Sequence, residues 1–176
     1  SNMAKRVVLL RAVNVGGAKL PMARLREIAE NLGASNVSTY IASGNLLCDV
    51  AEPDGFDRAL EQAIEDEFGF FREVISRSPT ELAEALKAHP FAIETEPKFH
   101  YVYFLLGAPS PAQVDALLAR GLPEKLAVIG RDLHIAYPEG VAGSKLTPAM
   151  IAKTLGSHGT GRNLNTVTKL IELARD

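Results

Sequence analysis

A chain of 176 residues is long enough for one ordinary domain or for two small ones that share a core. Its residues are 47% hydrophobic and 23% charged, as in globular proteins, and no apolar run approaches the ~20 residues of a membrane helix. We expect no signal peptide after Met3, and the single cysteine, Cys48, excludes an intrachain disulfide, so the sequence predicts a cytoplasmic protein without a membrane partner.

The net charge of −2 is unevenly distributed along the chain. Residues 1–50 and 98–176 each carry a net charge of +3, whereas residues 51–97 carry −8. A solvated acidic helix accounts for much of this negative middle. The acidic middle also argues against a protein that wraps long nucleic acid without sequence preference.

The first half of the chain predicts the element order β-α-β-β-α-β. An apolar run within residues 6–13 predicts a central strand that is covered on both faces. Apolar residues at helical spacing predict helices over residues 22–32 and 56–68, each ended by a glycine. Two strands flank the turn at residues 43–45, and residues 70–76 predict a fourth strand. This order is that of a split β-α-β domain of the ferredoxin-like kind.

The second half predicts the similar order β-α-β-β-α-α. Residues 101–106 predict a strand without a polar face, and a capping box at residues 110–113 begins a helix. Gly130-Arg131-Asp132 predicts a hairpin turn, and Thr147-Pro148 begins a short helix. The spacing of apolar residues over 167–174 predicts a final amphipathic helix.

We therefore predict an α+β fold with two ferredoxin-like (split β-α-β) subdomains and mostly antiparallel sheets. The N-terminal subdomain comprises residues 3–77, and the C-terminal subdomain, which includes the final helix, comprises residues 98–176. Residues 78–97 form a connecting helix and linker, and the helix begins at the capping box Ser78–Glu81. One face of each central strand requires its own helices, and the other requires the partner subdomain or the last helix.

A first polar cluster lies between the first strand and a helix that begins near Pro21. Strand, glycine pair and helix is a layout that presents backbone amides to an anion. Arg11 adds a bidentate donor and Asn14 a neutral one, beside Gly16 and Gly17. The loop matches neither G-x-G-x-x-G nor G-x-x-x-x-G-K-[ST], so a plain tight turn is the alternative. The turn at residues 43–45 and the segment just before it add three candidate ligand-binding residues: Tyr40, Ser43 and Asn45.

A second polar cluster opens the final helix and contains Thr160, Arg162, Asn163 and Asn165. Either asparagine is a credible N-cap, and helix N-termini favour anions. The alternative is that the asparagines only cap the helix, which leaves Thr160 and Arg162 unexplained. Lys145, just before another helix start, is a further candidate donor, with a solvated surface lysine as the alternative.

Catalytic groups are harder to find. The clusters contain no paired carboxylates, and the chain has no metal-ligand spacing, so the sequence predicts no metal site, no cofactor and no assigned catalytic residue. His158 is a candidate general base, with an exposed loop histidine as the alternative. We interpret His89, His100 and His134 as structural.

Several segments together resemble the bacterial family called domain of unknown function 1697: Leu9–Gly17, Met22–Leu25, Thr39–Asn45, Ser144-Lys145 and Thr160–Thr166. The resemblance covers nearly the whole chain in order. It implies a pair of ferredoxin-like α/β subdomains and no established activity. Ala12 stands where the family commonly has glycine, and we expect alanine to be tolerated there in a strand.

Leu164 stands where the same family commonly has tryptophan. If that ring stacks on a base or sugar in relatives, Leu164 cannot supply the contact. If the ring only packs, leucine is a modest repacking change.

These observations predict a protein that binds a phosphate- or carboxylate-bearing small molecule where the two subdomains meet. Seven residues supply the donors: Arg11, Asn14, Gly16, Gly17, Lys145, Arg162 and Asn163. Whether the protein is an enzyme stays open, as does its oligomeric state. One alternative is an RNA-binding module, since ferredoxin-like sheets can stack bases on aromatic side chains. Another is a structural or partner-binding protein without a small-molecule ligand.

Overall fold

The computed structural model describes residues 2–94 and 96–175. The chain divides into two compact units. Unit 1 comprises Ser1–Ala83 and Leu170–Asp176, and unit 2 comprises Glu84–Lys169.

Unit 1 is built on an antiparallel sheet with the strand order β2-β3-β1-β4. Its elements follow in chain order: β1 (Ala4–Leu10), α1 (Met22–Asn31), β2 (Ser35–Thr39), β3 (Asn45–Val50), α2 (Pro53–Phe68) and β4 (Val74–Arg77). The next helix, α3 (Pro79–Ala88), begins in unit 1 and ends in unit 2. The predicted element order of the first half is confirmed. The first strand ends at Leu10 rather than at Val13, so Arg11, Ala12 and Val13 belong to the following loop.

Unit 2 has an antiparallel sheet with the strand order β6-β7-β5-β8. A 3₁₀ turn at Pro97–Phe99 precedes its elements: β5 (His100–Leu105), α4 (Pro111–Leu118), β6 (Lys125–Ile129), β7 (Asp132–Ala136), α5 (Pro148–Leu155) and β8 (Gly159–Asn163). The final helix, α6 (Leu164–Ala174), begins in unit 2 and ends in unit 1. Six helices and two four-stranded antiparallel sheets in the described part of the chain confirm the predicted α+β class.

The predicted order of the second half was wrong in one element, because residues 159–163 form strand β8. They pair with β5 in the register Tyr101↔Asn163 to Leu105↔Gly159. The segment has no apolar alternation because the Tyr103 ring lies against its backbone. A Cβ on Gly159 would lie 2.5 Å from Tyr103 Cε1, and one on Gly161 would lie 3.0 Å from Tyr103 Cδ2. Close packing therefore imposes glycine where a strand pattern would place a larger residue.

Each unit has an apolar core between its helices and one face of its sheet. In unit 1, Val8 and Leu10 of β1 pack in a cluster with residues of α1 and α2, such as Leu25 and Leu60. In unit 2, Tyr103 and Leu105 of β5 pack in a cluster with Leu117 of α4 and with Ile151 and Leu155 of α5. Full burial of one such aliphatic side chain contributes about 1.5–3 kcal/mol.

The capping boxes predicted from the sequence are confirmed. Ser78 N donates to Glu81 Oε1 over 2.9 Å and Glu81 N donates to Ser78 Oγ over 3.1 Å at the start of α3. Ser110 and Gln113 make the same reciprocal pair at the start of α4. Each box satisfies two amides that a helix start otherwise leaves without acceptors.

Gly44, in the turn between β2 and β3, provides a test of backbone packing. Its φ is +93°, and a Cβ there would lie 2.6 Å from Val13 Cγ2 and 3.0 Å from Leu10 Cβ. Gly17 has nearly the same φ, +95°, and a Cβ there would have none of the described residues within 4 Å. We expect Gly17→Ala to cost about 1–2 kcal/mol for left-handed backbone alone. Gly44→Ala should cost about 1–3 kcal/mol more from overpacking.

Urea unfolding of the two alanine variants and the wild type measures this difference. Because the two glycines share their φ, a difference between the variants reports the steric contact. Equal losses of stability would show that Val13 and Leu10 relax at no cost.

Candidate functional site

Asn14 joins the two loops that contain the first polar cluster. Loop A (residues 11–21) connects β1 to α1, and loop B (residues 40–44) connects β2 to β3. Asn14 Nδ2 donates to Leu20 O over 3.0 Å and to Ala42 O over 2.5 Å, and its Oδ1 accepts from Leu20 N over 2.8 Å. All of the amide's groups are thus engaged within these loops, so the Asn14 side chain fixes their shape.

Arg11 forms an ion pair with Glu73, the residue immediately before β4. Its Nε lies 2.6 Å from Glu73 Oε2, and its backbone N donates to Glu73 O over 3.1 Å. The two side chains are 27% and 11% exposed, so the pair is largely shielded from solvent. An anion that binds Arg11 must therefore share the guanidinium with Glu73.

The backbone of loops A and B is strained. Three of the four non-glycine residues with left-handed φ among the described residues lie there: Ala12, Asn14 and Ile41, with φ of +52°, +58° and +51°. Gly16 and Gly17 also adopt positive φ, and both are exposed. Such conformations cost about 1–3 kcal/mol each in non-glycine residues and cluster at functional sites.

The expectation that Ala12 lies in a strand was wrong. Its φ of +52° places it in the left-handed region, which glycine adopts without a Cβ penalty. This conformation gives a physical reason for the glycine that is common at this position in the family that the sequence resembles.

The polar residues beside loop B hold the β2–β3 turn. Asn45 is fully buried, and its Nδ2 donates to Tyr40 O over 3.0 Å and to Ser43 Oγ over 3.2 Å. Tyr40 N donates in return to Asn45 O over 3.0 Å. The structure thus brings Tyr40, Ser43 and Asn45 together, and Asn14 links them to loop A through Ala42.

The second polar cluster lies in unit 2, on β8 and the first turn of α6. Arg162 Nη1 donates to Thr160 Oγ1 over 2.7 Å and to Gly161 O over 2.9 Å, and both Thr160 and Arg162 are buried. Burial lowers the pKa of the Arg162 guanidinium to about 10, so it remains charged at neutral pH. Asn163 Oδ1 accepts from Thr166 N over 2.9 Å and is the N-cap of α6, whereas Asn165 is exposed in the first turn.

Arg162 has a counterpart at the same place in unit 1. Arg77 pairs with Val7 of the central strand β1, as Arg162 pairs with Val102 of the central strand β5. Both arginines are buried, and each comes one residue before the cap of the helix that follows. The repetition indicates a role in building each unit, which the sequence did not reveal because β8 had no strand pattern.

Lys145 lines a cavity of about 510 Å³ within unit 2. The cavity lies between the α4–β6 connection and the β7–α5 connection, and its charged lining residues are Arg120, Glu124, Glu139 and Lys145. Arg120, Glu139 and Lys145 are exposed, but only 8% of Glu124 is accessible to solvent. Sequence analysis identified Lys145 alone among these four, because the others are isolated charges without a motif.

Three histidines of unit 2 form a chain of ring contacts that sequence analysis did not predict. His89 Nδ1 lies 3.0 Å from His134 Nδ1, and His89 Nε2 lies 2.9 Å from His100 Nδ1. Burial lowers the pKa of His134 to about 4, and burial together with the neighbouring rings of His134 and His100 lowers the pKa of His89 to about 4. The rings bond to one another, and no metal-binding group of three or more ligands occurs among residues 2–94 and 96–175.

Cys48 and His158 are two further side chains whose types can act as a nucleophile or a base. Cys48 is buried in β3, and its burial raises the pKa of the thiol to about 12, so it remains protonated at neutral pH. His158 is exposed in the loop before β8. Neither residue lines the cavity that contains Lys145.

The fold and the loops define a two-unit α+β protein in which no helix of the described chain is long and apolar enough to cross a bilayer. It belongs to the family described as "Protein of unknown function (DUF1697)", whose model matches residues 3–134. A solved structure of a conserved bacterial protein from Streptococcus pneumoniae is similar, with a TM-score of 0.73 and 23% sequence identity over 99% of each chain. This likeness shows a shared fold. None of the curated proteins compared with the chain matches it.

The histidine chain predicts a loss of stability in acid. The folded pKa of His134, about 4, lies below the ordinary value of 6.5, so between these values the unfolded chain binds the additional proton. The contribution of His134 to the free energy of unfolding is therefore fully present above about pH 6.5 and falls as the pH decreases toward 4. His134→Leu should flatten this dependence by up to about 1.4 kcal/mol per pH unit, the limit for one group.

Denaturant unfolding of wild type and His134→Leu at a series of pH values from 4 to 7.5 tests this prediction. Asp57, whose pKa burial raises to about 6, titrates with the opposite sign but is present in both proteins and cancels from their difference. The exposed His158→Leu variant is the control and should keep the wild-type slope. An unchanged slope in His134→Leu contradicts the assigned cause.

Proposed function

We propose that the protein binds a small anionic molecule, one with a phosphate or carboxylate group, in the cavity of unit 2. The observation that carries this proposal is that Arg120 and Lys145 line the same cavity of about 510 Å³. Small-molecule sites in proteins commonly measure about 300–1,000 Å³, so the volume suits a metabolite-sized ligand.

The chemistry of the two cations suits an anion. Arginine presents a planar fork that matches two oxygens of a phosphate or carboxylate, and lysine adds a mobile point charge. Arg120 Nη2 lies 3.4 Å from Thr154 Oγ1, a contact with α5 that restrains its direction. Ser144 also lines the cavity, and because its Oγ accepts from Leu146 N over 3.1 Å, its O–H remains available as a donor.

The proposal keeps the ligand class predicted from the sequence and relies on Lys145. Arg11, Asn14, Asn45 and Arg162 make the hydrogen bonds described above, and these bonds explain their presence without a ligand. The strand order, the same in both units, supports the ferredoxin-like assignment of each.

An RNA-binding role receives less support from the aromatic side chains of β5. Phe104 is fully buried, and Tyr103 is 7% exposed and packs in the core of unit 2. Stacking on bases requires exposed ring faces, which these two residues lack.

Calorimetric titration tests the proposal with inorganic phosphate, simple sugar phosphates and small dicarboxylates as probes. Lys145→Ala and Arg120→Ala should each weaken binding of the best probe by about 10-fold or more, because a hydrogen bond to a charged group contributes about 1.5–3 kcal/mol. Lys153→Ala, an exposed lysine on α5 that does not line the cavity, is the matched control and should bind as wild type does.

The proposal fails if no probe binds the wild type. It also fails if the three alanine variants bind equally well, since the site then lies elsewhere.

A further inference from the structure

We infer that the outer edge of strand β6, the side that faces away from β7, is an interaction surface on which a second copy of this chain pairs antiparallel. β6 and β7 are adjacent antiparallel strands, and β6 is an edge strand of the unit 2 sheet. An open edge presents unpaired amides and carbonyls to which another strand can bond. The inference is independent of the proposed anion site.

The hydrogen bonds around β7 determine which backbone groups of the sheet face which neighbour. Arg131 and Tyr137, the residues that flank β7, both bond on the side of β5. Arg131 O accepts from Leu105 N over 2.8 Å, and Tyr137 N donates to Phe99 O over 2.9 Å. Because the bonding direction alternates along an antiparallel strand, residues 133 and 135 also bond toward β5, and residues 132, 134 and 136 bond toward β6.

Two residues of β6 direct their backbone groups outward. The residues of β7 that bond toward β6 lie opposite Lys125, Ala127 and Ile129. Leu126 and Val128 therefore direct their N–H and C=O groups away from β7. Within residues 2–94 and 96–175, no hydrogen bond satisfies these four groups.

Strand β4, an edge of the unit 1 sheet, shows how such groups are satisfied within the chain. Val74 N donates to Glu61 Oε2 over 2.8 Å, and Val74 O accepts from the Arg58 guanidinium. Ser76 O accepts from Arg6 Nη2 over 3.1 Å. These side chains occupy backbone groups that another strand would need, so they prevent pairing at this edge.

The remaining two edge strands are also protected, in different ways. The pairing of β2 shifts register between Ser35 and Ser38, and Asn36 between them has a left-handed φ of +51°. Such an irregularity twists an edge away from a partner strand. On β8, Gly161 O accepts from Arg162 Nη1 over 2.9 Å. β6 differs from all three, because its register with β7 is continuous and no described side chain bonds to its outward groups.

The sequence of β6 is complementary to itself in antiparallel pairing. With a two-fold axis at Ala127, Leu126 of each copy lies opposite Val128 of the other, and the four hydrogen bonds that they exchange satisfy every outward group. Lys125, the one charged residue of β6, then lies opposite Ile129. A parallel arrangement would instead set the two Lys125 ammonium groups side by side, where like charges repel.

The size of this contact indicates a reversible dimer. A strand of five residues offers less surface than the about 800 Å² per partner of a standard stable interface. We therefore expect the dimeric fraction to rise with protein concentration.

Sedimentation equilibrium of the full chain at concentrations up to millimolar tests the inference. Val128→Pro removes one outward N–H and leaves the bonds to β7 in place, so this variant should be monomeric. Val128→Ala is the matched control, because it also loses the valine side chain but keeps the N–H, and it should still form dimers. Thermal unfolding verifies that both variants fold.

Substitutions of Ile129 provide a second test that does not depend on proline. Ile129 and Lys125 are both exposed, so a charge at residue 129 leaves the core intact. Ile129→Lys places like charges opposite each other, and Ile129→Glu places opposite charges there. Since the dimer contains two such pairs, the dissociation constant of Ile129→Lys should exceed that of Ile129→Glu by about 4-fold or more.

Three results would overturn the inference. A wild type that remains monomeric at millimolar concentration shows that β6 does not pair with a second copy, even if a peptide of another protein binds there. If Val128→Pro forms dimers as the wild type does, the contact lies on another surface. Equal dissociation constants of the two Ile129 variants contradict the antiparallel register.

Discussion

Four consecutive residues of β1, Val7 to Leu10, are fully buried, and so are Val102, Phe104 and Leu105 of β5. Because successive residues of a strand point to opposite faces, these strands have no face that water can solvate. Each must therefore be central, with a hydrogen-bonded neighbour on both edges. The strand orders β2-β3-β1-β4 and β6-β7-β5-β8 meet this requirement.

This constraint explains which parts of the fold could be predicted from the sequence. The apolar runs and helical spacings reflect burial directly, so the elements of unit 1 and the α+β class followed from them. Strand β8 escaped prediction because its core contact is made by the ring of Tyr103 lying against Gly159 and Gly161, not by side chains of its own. Its existence follows from β5, which would otherwise present an unpaired edge. A pattern within one segment cannot reveal a strand that a neighbouring strand requires.

The role of the polar residues at the ends of the strands and helices is harder to predict from the sequence than the elements themselves. Asparagine and arginine at such places indicate ligand binding in a sequence, but the same chemistry closes loops and caps helices. Asn14 and Asn45 donate to backbone carbonyls of loops A and B, and Asn163 caps α6. Two buried arginines, Arg77 and Arg162, occupy equivalent positions in the two sheets, each opposite a residue of the central strand. The cavity residues Glu124 and Arg120, by contrast, stand singly in the sequence, and only the folded connections of unit 2 bring them to Lys145.

Buried polar atoms without hydrogen-bond partners carry a desolvation cost that the two units bear at a few positions. Asp57 Oδ1 and His134 Nε2 lack hydrogen-bond partners in the described chain, but their other polar atoms are bonded, Asp57 Oδ2 to Ser76 and His134 Nδ1 to His89. Burial also shifts their pKa values toward the neutral forms, to about 6 for Asp57 and about 4 for His134. With a pKa of about 4, His134 is neutral at neutral pH, whereas Asp57, with a pKa of about 6, becomes protonated only in mild acid. Glu124 Oε1 is shielded from solvent in the same way, although the residue lines the cavity of unit 2, so a molecule in the cavity does not reach this oxygen.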